Sequence, residues 1–494
     1  MRDKKIVMVI AAGLCFGVAF IGLLTIRIGH KPSVNLSDTS SISVTDADFS
    51  AREQWMAIKQ FGRTIGYAHT IFNKNSMGYE VDQSLFFRFT IMEMVRDLTM
   101  RSTGQLNADF SLASFGTKIS SGLFEFEATG KMTENRLDMI TRTAGVEKTT
   151  TLEIDERVFF SAGLADALMA KGLQPSNALT GRLFDPSAMT HIPFTATVLG
   201  DEIVDIAEVP TPATKIAIDV KGLRQFAWIS GTGEVIKEQG LLGMTLEKTT
   251  RNRALSGHNI KASEDLTQIA SIAVDPITQP VNSLSRLVVK IDGVELDEQS
   301  VTNERQSLQG DIITIDLEML SAIRSIPVAE NSFAPEMKVW LESTPFIQSN
   351  HPLLQEVVRQ TTDADDTPLG KVEKLMQWIK DNIEKKPVLS LPDAISTLKN
   401  RQGDCNEHAM LMAAMARAAN IPARVETGIV YMKGRFYYHA WNMVYVGDWL
   451  AVDTALDQIP ADVTHVRLSS GNEDGHLDLL RMIGNVKLKI IDYD

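Results

Sequence analysis

Along the first half of the chain, apolar residues recur at every second position. Leu85, Phe87, Phe89 and Ile91 alternate with other residues, as do Leu106, Ala108, Phe110 and Leu112. Phe124 and Phe126 keep the same period, followed by Ile216, Ile218 and Val220. Successive side chains of a strand point to opposite faces, so the pattern predicts a large antiparallel sheet with one buried face over residues 51–280. One helix-like stretch, near Ala162 to Leu173, interrupts it. Residues 281–345 carry a second β-rich stretch, with Leu287, Val289 and Ile291 and then Ile313, Ile315 and Leu317. This reads as a small separate domain or as a continuation of the first sheet.

Beyond residue 345 the pattern becomes helical. Leu353, Val357 and Val358 predict one helix. Val372, Leu375, Met376, Trp378, Ile379 and Ile383 predict another, opened by Pro368. Asp363, Asp365 and Asp366 lie between them without the glycine and distal glutamate of a calcium loop, so they read as capping and solvated residues. Residues 346–480 are therefore expected to form a mixed α+β domain, and 481–494 a C-terminal tail.

The N-terminus has its own pattern. Arg2, Lys4 and Lys5 precede an uncharged run from Ile6 to Ile26. A hydrocarbon core of ~30 Å needs ~20 helical residues, so this run is long enough to cross. No small-x-small cleavage site follows. Residues 1–31 are expected to be a single-pass signal anchor in the cell membrane, with the bulk extracytoplasmic, in a bacterial periplasm. A cleaved signal is the alternative and leads to the same compartment. Residues 32–50, rich in Ser, Thr and Asp, read as a linker.

Composition narrows the classes. A chain of 494 residues, 44% hydrophobic and 22% charged, fits two or three globular domains. A net charge of -13 repels polyanions, so no nucleic-acid partner is expected. The two cysteines are Cys15, inside the apolar run, and Cys405. Cys405 is thus the one thiol of the remaining chain, either a buried small hydrophobe or a reactive group.

Its surroundings favour reactivity. Gly403 and Asp404 break the chain before a run of strong helix formers reaching Asn420. Cys405, His408, Ala409, Met412, Met415, Ala416 and Ala419 fall on one helical face. A cysteine in the first helical turn meets unpaired N–H groups and the positive end of the dipole. These favour a thiolate and can stabilise an oxyanion. Downstream, Tyr437 to Tyr445 reads as a strand, Gly447-Asp448 as a turn and Trp449 to Asp453 as the next strand. His439 and Asp453 are then candidates for a base and its orienting acid. Register tests this: a two-residue loop puts them on opposite faces, whereas a three-residue loop, 446–448, pairs 441 with 453 and puts them on one face. An odd-length loop or a bulge is expected. His408, three residues after Cys405, makes too poor a ligand set for zinc, so no metal is expected. No glycine-rich phosphate loop suggests a cofactor.

The run Gly403-Asp404-Cys405-Asn406-Glu407-His408-Ala409 resembles the bacterial transglutaminase-like superfamily. So do Arg417 to Val425, Tyr438-His439-Ala440-Trp441, Trp449 and Val452-Asp453. Thr454 departs from the proline that many relatives carry, which touches loop geometry more than chemistry. The resemblance covers roughly residues 350–460. It implies a papain-like α+β domain with Cys405, His439 and Asp453 as catalytic triad. It also implies a cysteine-dependent acyltransferase or amidohydrolase acting on protein or peptide amides through a thioester. The alternative is an inactive membrane-anchored scaffold or ligand-binding protein, since the β-rich region has no assigned role.

Overall fold

The computed structural model describes residues 51–494 apart from 123, 144–145, 155, 173–174, 176–177, 186–189, 221–222, 258–259, 295, 324–334, 345, 389–391 and 472–481. The expected membrane anchor and linker lie outside the described residues. Among those described, no helix is long and apolar enough to cross a membrane. The chain divides into two compact units at Leu266/Thr267.

The first unit is built on one fifteen-stranded sheet. Eight strands from Arg52 to Glu153 meander toward one edge, and seven from Val158 to Thr249 lead to the other. Arg52–Gln60 and Met244–Thr249 pair antiparallel and join the two runs. Such a wide sheet curls as its twist accumulates. Here the curl brings distant strands together: Phe115 and Phe184 stand 4.6 Å apart, and Ser111 bridges Phe159. The period-two residues face inward as the pattern requires, with Phe87, Phe89, Ile91 and Phe126 buried. The helix Leu164–Lys171 buries Leu164, Ala167 and Leu168.

One alternating run is not a single strand. Met94–Leu106 ends at Leu106, and the next strand starts at Leu112. Between them Ala108 is exposed and Phe110 adopts φ 62°. Asp109 Oδ1 accepts the N–H of Ser111 at 3.1 Å and its hydroxyl at 2.6 Å, so local side-chain bonds override the apolar alternation.

The second unit holds two main sheets. In the smaller one the order is Gln306–Gln309, Ile312–Asp316, Arg286–Asp292 and Lys487–Tyr493. The segment expected as a tail therefore supplies a strand. In the five-stranded sheet, Arg435–Tyr445 lies between Ala423–Met432 on one side and Ile272–Ala273 with Trp449–Val452 on the other. Val466–Gly471 pairs the far side of Ala423–Met432. Helix Cys405–Ala418 packs across the two central strands. It is buried from Cys405 to Arg417, on every face rather than one. The helices Pro352–Thr361, Pro368–Asn382 and Ala394–Asn400 pack against it as well. Its small Ala side chains permit that close approach. It ends where Asn420 turns left-handed at φ 60° and Ile421 N–H reaches back to Ala416 O at 2.9 Å.

Candidate active site

Helix Cys405–Ala418 opens with a capping box. Asp404 is the N-cap; its Oδ1 accepts the Asn406 N–H at 3.0 Å, and Glu407 Oε2 accepts the Asp404 N–H at 3.0 Å. Two donors that helix geometry leaves open are thereby satisfied. Gly403 makes room for this: a Cβ there would stand 2.3 Å from the Cβ of Glu407. His408 Nδ1 donates to the Asp404 carbonyl at 2.6 Å, and burial lowers its pKa to about 4. His408 is therefore neutral and packs behind the helix start.

Cys405 is 0% exposed. Burial, and next the Asp404 carboxylate, push its thiol well above the ordinary range, while a hydrogen bond from the Ala440 N–H pulls the other way. The pull of the helix start toward a thiolate is thus outweighed, and the thiol is favoured. The dipole of the helix start does not overcome desolvation and an adjacent carboxylate. Asp404 is itself raised, by burial and by the Glu407 carboxyl against it.

The Ala440 contact sets the sulfur beside the strand residue that follows His439. Asn442 Nδ2 donates to Ala409 O at 2.9 Å and ties the same strand to the helix. Tyr445 pairs with Trp449 and Asn442 with Val452, so the connecting loop is the three residues 446–448. With that register His439 Nε2 lies 2.6 Å from Asp453 Oδ2. Both residues are fully buried, and His439 Nδ1 has no hydrogen-bond partner among the described residues. Asp453 Oδ1 accepts the N–H groups of Ala455 and Leu456 at 2.8 and 2.9 Å. Burial opposes its ionisation, but His439 and His465 outweigh it and hold the carboxyl far below the usual range.

Sequence reasoning did not find His465 or Asp462. His465 Nε2 lies 2.9 Å from Asp453 Oδ2, the same oxygen that His439 uses. Its Nδ1 lies 3.1 Å from Asp462 O and 3.3 Å from Asp462 Oδ1. Arg305 holds this turn by donating to Ala461 O and Asp462 O, each at 3.0 Å. Gln306 donates to Arg467 O and accepts from its N–H, at 2.8 and 2.9 Å. The second β-rich stretch thus buttresses the site. No periodicity marks these residues; Asp462, Thr464 and His465 alternate with or adjoin Ala461, Val463 and Val466 without a pattern that singles them out.

His439, Asp453 and His465 offer atoms within 4.8 Å of one another, the one such trio that could hold a metal among the described residues. Both imidazoles already bond the same Asp453 oxygen, so a cation between them would have to displace both bonds.

No curated protein matches the chain. Among solved structures, a candidate cysteine protease from Cytophaga hutchinsonii matches with TM-score 0.28 and 17% identity, over 43% of this chain and 87% of that one. A β-barrel-like protein of a domain of unknown function, DUF1849, from Brucella abortus matches with TM-score 0.32 and 15% identity, over 41% of this chain and 96% of that one. Residues 355–454, which carry Cys405, His439 and Asp453, match the transglutaminase-like superfamily, and the chain therefore carries a transglutaminase-like domain in its second unit.

Proposed function

We propose that the protein is a cysteine-dependent acyl-transfer or amide-hydrolysing enzyme with Cys405 as nucleophile, His439 as general base and Asp453 as orienting acid. The observation that carries this reading is the His439–Asp453 bond of 2.6 Å, made through Nε2 and leaving Nδ1 open, on the strand whose next N–H meets the Cys405 sulfur. In the proposed reaction His439 Nδ1 takes the thiol proton as the sulfur attacks an amide carbonyl. The Cys405 N–H, first in its helix, faces the oxyanion. The imidazolium then protonates the departing amine, the C–N bond breaks and a thioester remains. Water completes hydrolysis; an amine completes transfer, and the returning proton restores the thiol. Since the thiol rests neutral, attack and proton transfer are coupled.

The substrates proposed are amides of proteins or peptides outside the cytoplasm, reached by an enzyme tethered through Ile6–Ile26. The test is capture of the acyl group on Cys405 by intact-protein mass spectrometry, with His439→Ala as control. Labelling at an ordinary thiol rate that ignores His439→Ala would refute the reading. One observation favours a second reading, an inactive binding or scaffold protein: Cys405 and His439 are both 0% exposed. A folded, abundant Cys405→Ala variant that behaves as a null in cells would exclude it.

A further inference from the structure

Neutral imidazole carries one N–H and one bare nitrogen. Among the described residues no donor serves a bare nitrogen of His465. Nε2 faces a carboxylate oxygen of Asp453, and Nδ1 faces the carbonyl and carboxylate oxygens of Asp462. All are acceptors, and the ring is 0% exposed. Only the doubly protonated ring satisfies both sides. The other groups near it are the His439 ring at 5.6 Å, the Trp441 ring at 5.2 Å and the Glu318 carboxyl, which pairs with Arg305 at 3.3 Å.

We propose that His465, held as a buried imidazolium by Asp462, is a positioning residue that clamps the Asp453 carboxylate opposite His439 and so keeps the base oriented. This rests on the triad reading above. The charges explain why two residues are needed. His465 alone would neutralise Asp453 and leave little negative charge to stabilise a protonated His439. Asp462 restores one negative charge to the group. Asp453, His465 and Asp462 together sum to -1, and proton transfer to His439 brings the cluster to zero. Asp462 is itself fixed: its Oδ1 accepts the N–H and hydroxyl of Thr464 at 2.9 and 2.6 Å, and its Oδ2 accepts Gln458 Nε2 at 2.8 Å.

The titration behaviour agrees. Burial opposes the charged ring, but hydrogen bonds to Asp453 and Asp462 outweigh it and raise its pKa to about 9. The raised value means that the clamp is complete below the unfolded value near 6.5 and is lost as pH rises through about 9.

The experiment uses the full chain with 15N-labelled histidine. Two protonated ring nitrogens are expected for His465 at pH 7.5, assigned by their loss in His465→Gln. A bare ring nitrogen there overturns the proposal, with no variant needing to react. The second arm follows the His439-dependent part of Cys405 labelling by iodoacetamide, taken as the difference between the chain and its His439→Ala form. His465→Gln is expected to lower it about tenfold at pH 7, the lower end of the loss seen when a hydrogen-bond partner that orients a functional histidine from behind, as at metal sites, is removed. Asp462→Asn keeps the turn's oxygen but removes the charge, and should bring the alkaline fall-off at least one pH unit lower than in the unaltered chain. An unchanged profile in Asp462→Asn overturns the proposal. Labelling with no His439-dependent part at all would instead overturn the triad reading, while the NMR arm still reports the charge of His465.

Discussion

Asp453→Asn tests the site most directly, because it keeps volume and changes one atom's role. The carboxylate is fully buried and accepts four hydrogen bonds: His439 at 2.6 Å, His465 at 2.9 Å, Ala455 at 2.8 Å and Leu456 at 2.9 Å. An asparagine can keep its oxygen on the two backbone donors. Its amide then points N–H groups at two imidazole nitrogens that are themselves donors. His439 must move its proton to Nδ1, the atom proposed as base. Two charge-assisted bonds are lost, each worth about 1.5–3 kcal/mol, so the cost is about 3–5 kcal/mol after partial relaxation. For a domain of this size that corresponds to a fall in Tm of roughly 6–20 °C. Wrong tautomers in comparable triads reduce turnover by about 10⁴. Calorimetry and mass-spectrometric labelling of Cys405 read the two effects. The sign with pH is also fixed. The folded carboxyl titrates well below an unfolded aspartate, so its contribution is present above about pH 4 and is lost as pH falls through the folded value. The stability gap between the two chains should therefore be constant near neutrality and close only in strong acid. An Asn variant with unchanged Tm and unchanged His439-dependent labelling would refute the reasoning.

Three further outcomes follow from the same geometry. Cys405→Ala removes one buried sulfur at a cost of about 1 kcal/mol, so the variant should stay folded and form no adduct at that position; unfolding on this change would assign Cys405 to packing. Asp404→Asn keeps a good N-cap but removes the carboxylate that raises the thiol, so the midpoint of Cys405 alkylation against pH should move down, with helix stability changed by less than about 0.5 kcal/mol. A midpoint that stays or rises would contradict the electrostatic assignment. Gly428→Ala would bring a Cβ to 2.0 Å from Val466 O and 3.0 Å from Arg467 Cα, both backbone. Gly428 pairs with His439, and Val466 follows His465. A loss of about 1–3 kcal/mol in denaturant unfolding, with slower Cys405 labelling, is expected; full stability would show that the strands can part without harm.

Much of the second unit was legible along the chain because it rests on local rules. Helix propensity after Asp404 placed Cys405 at a helix start, and the two-residue period of strands turned the His439–Asp453 contact into a question of loop parity. Those rules act between near neighbours, so sequence spacing suffices. The Leu106 to Leu112 run misled for the same reason, since turn bonds from Asp109 compete locally with alternation. Other features needed the assembled fold. The curl of the large sheet sets Phe115 against Phe184 through contacts that no period encodes. Arg305, Gln306 and the strand Lys487–Tyr493 reach the site unit from distant parts of the chain. The protonation of Cys405 and His465 depends on how completely water is excluded and which carboxylates remain nearby. By itself the sequence determined the helix of Cys405, the strand of His439 and their order; tertiary structure decided which way the titration of each buried group is pushed, because desolvation and long-range pairing exist only once the chain has closed around them.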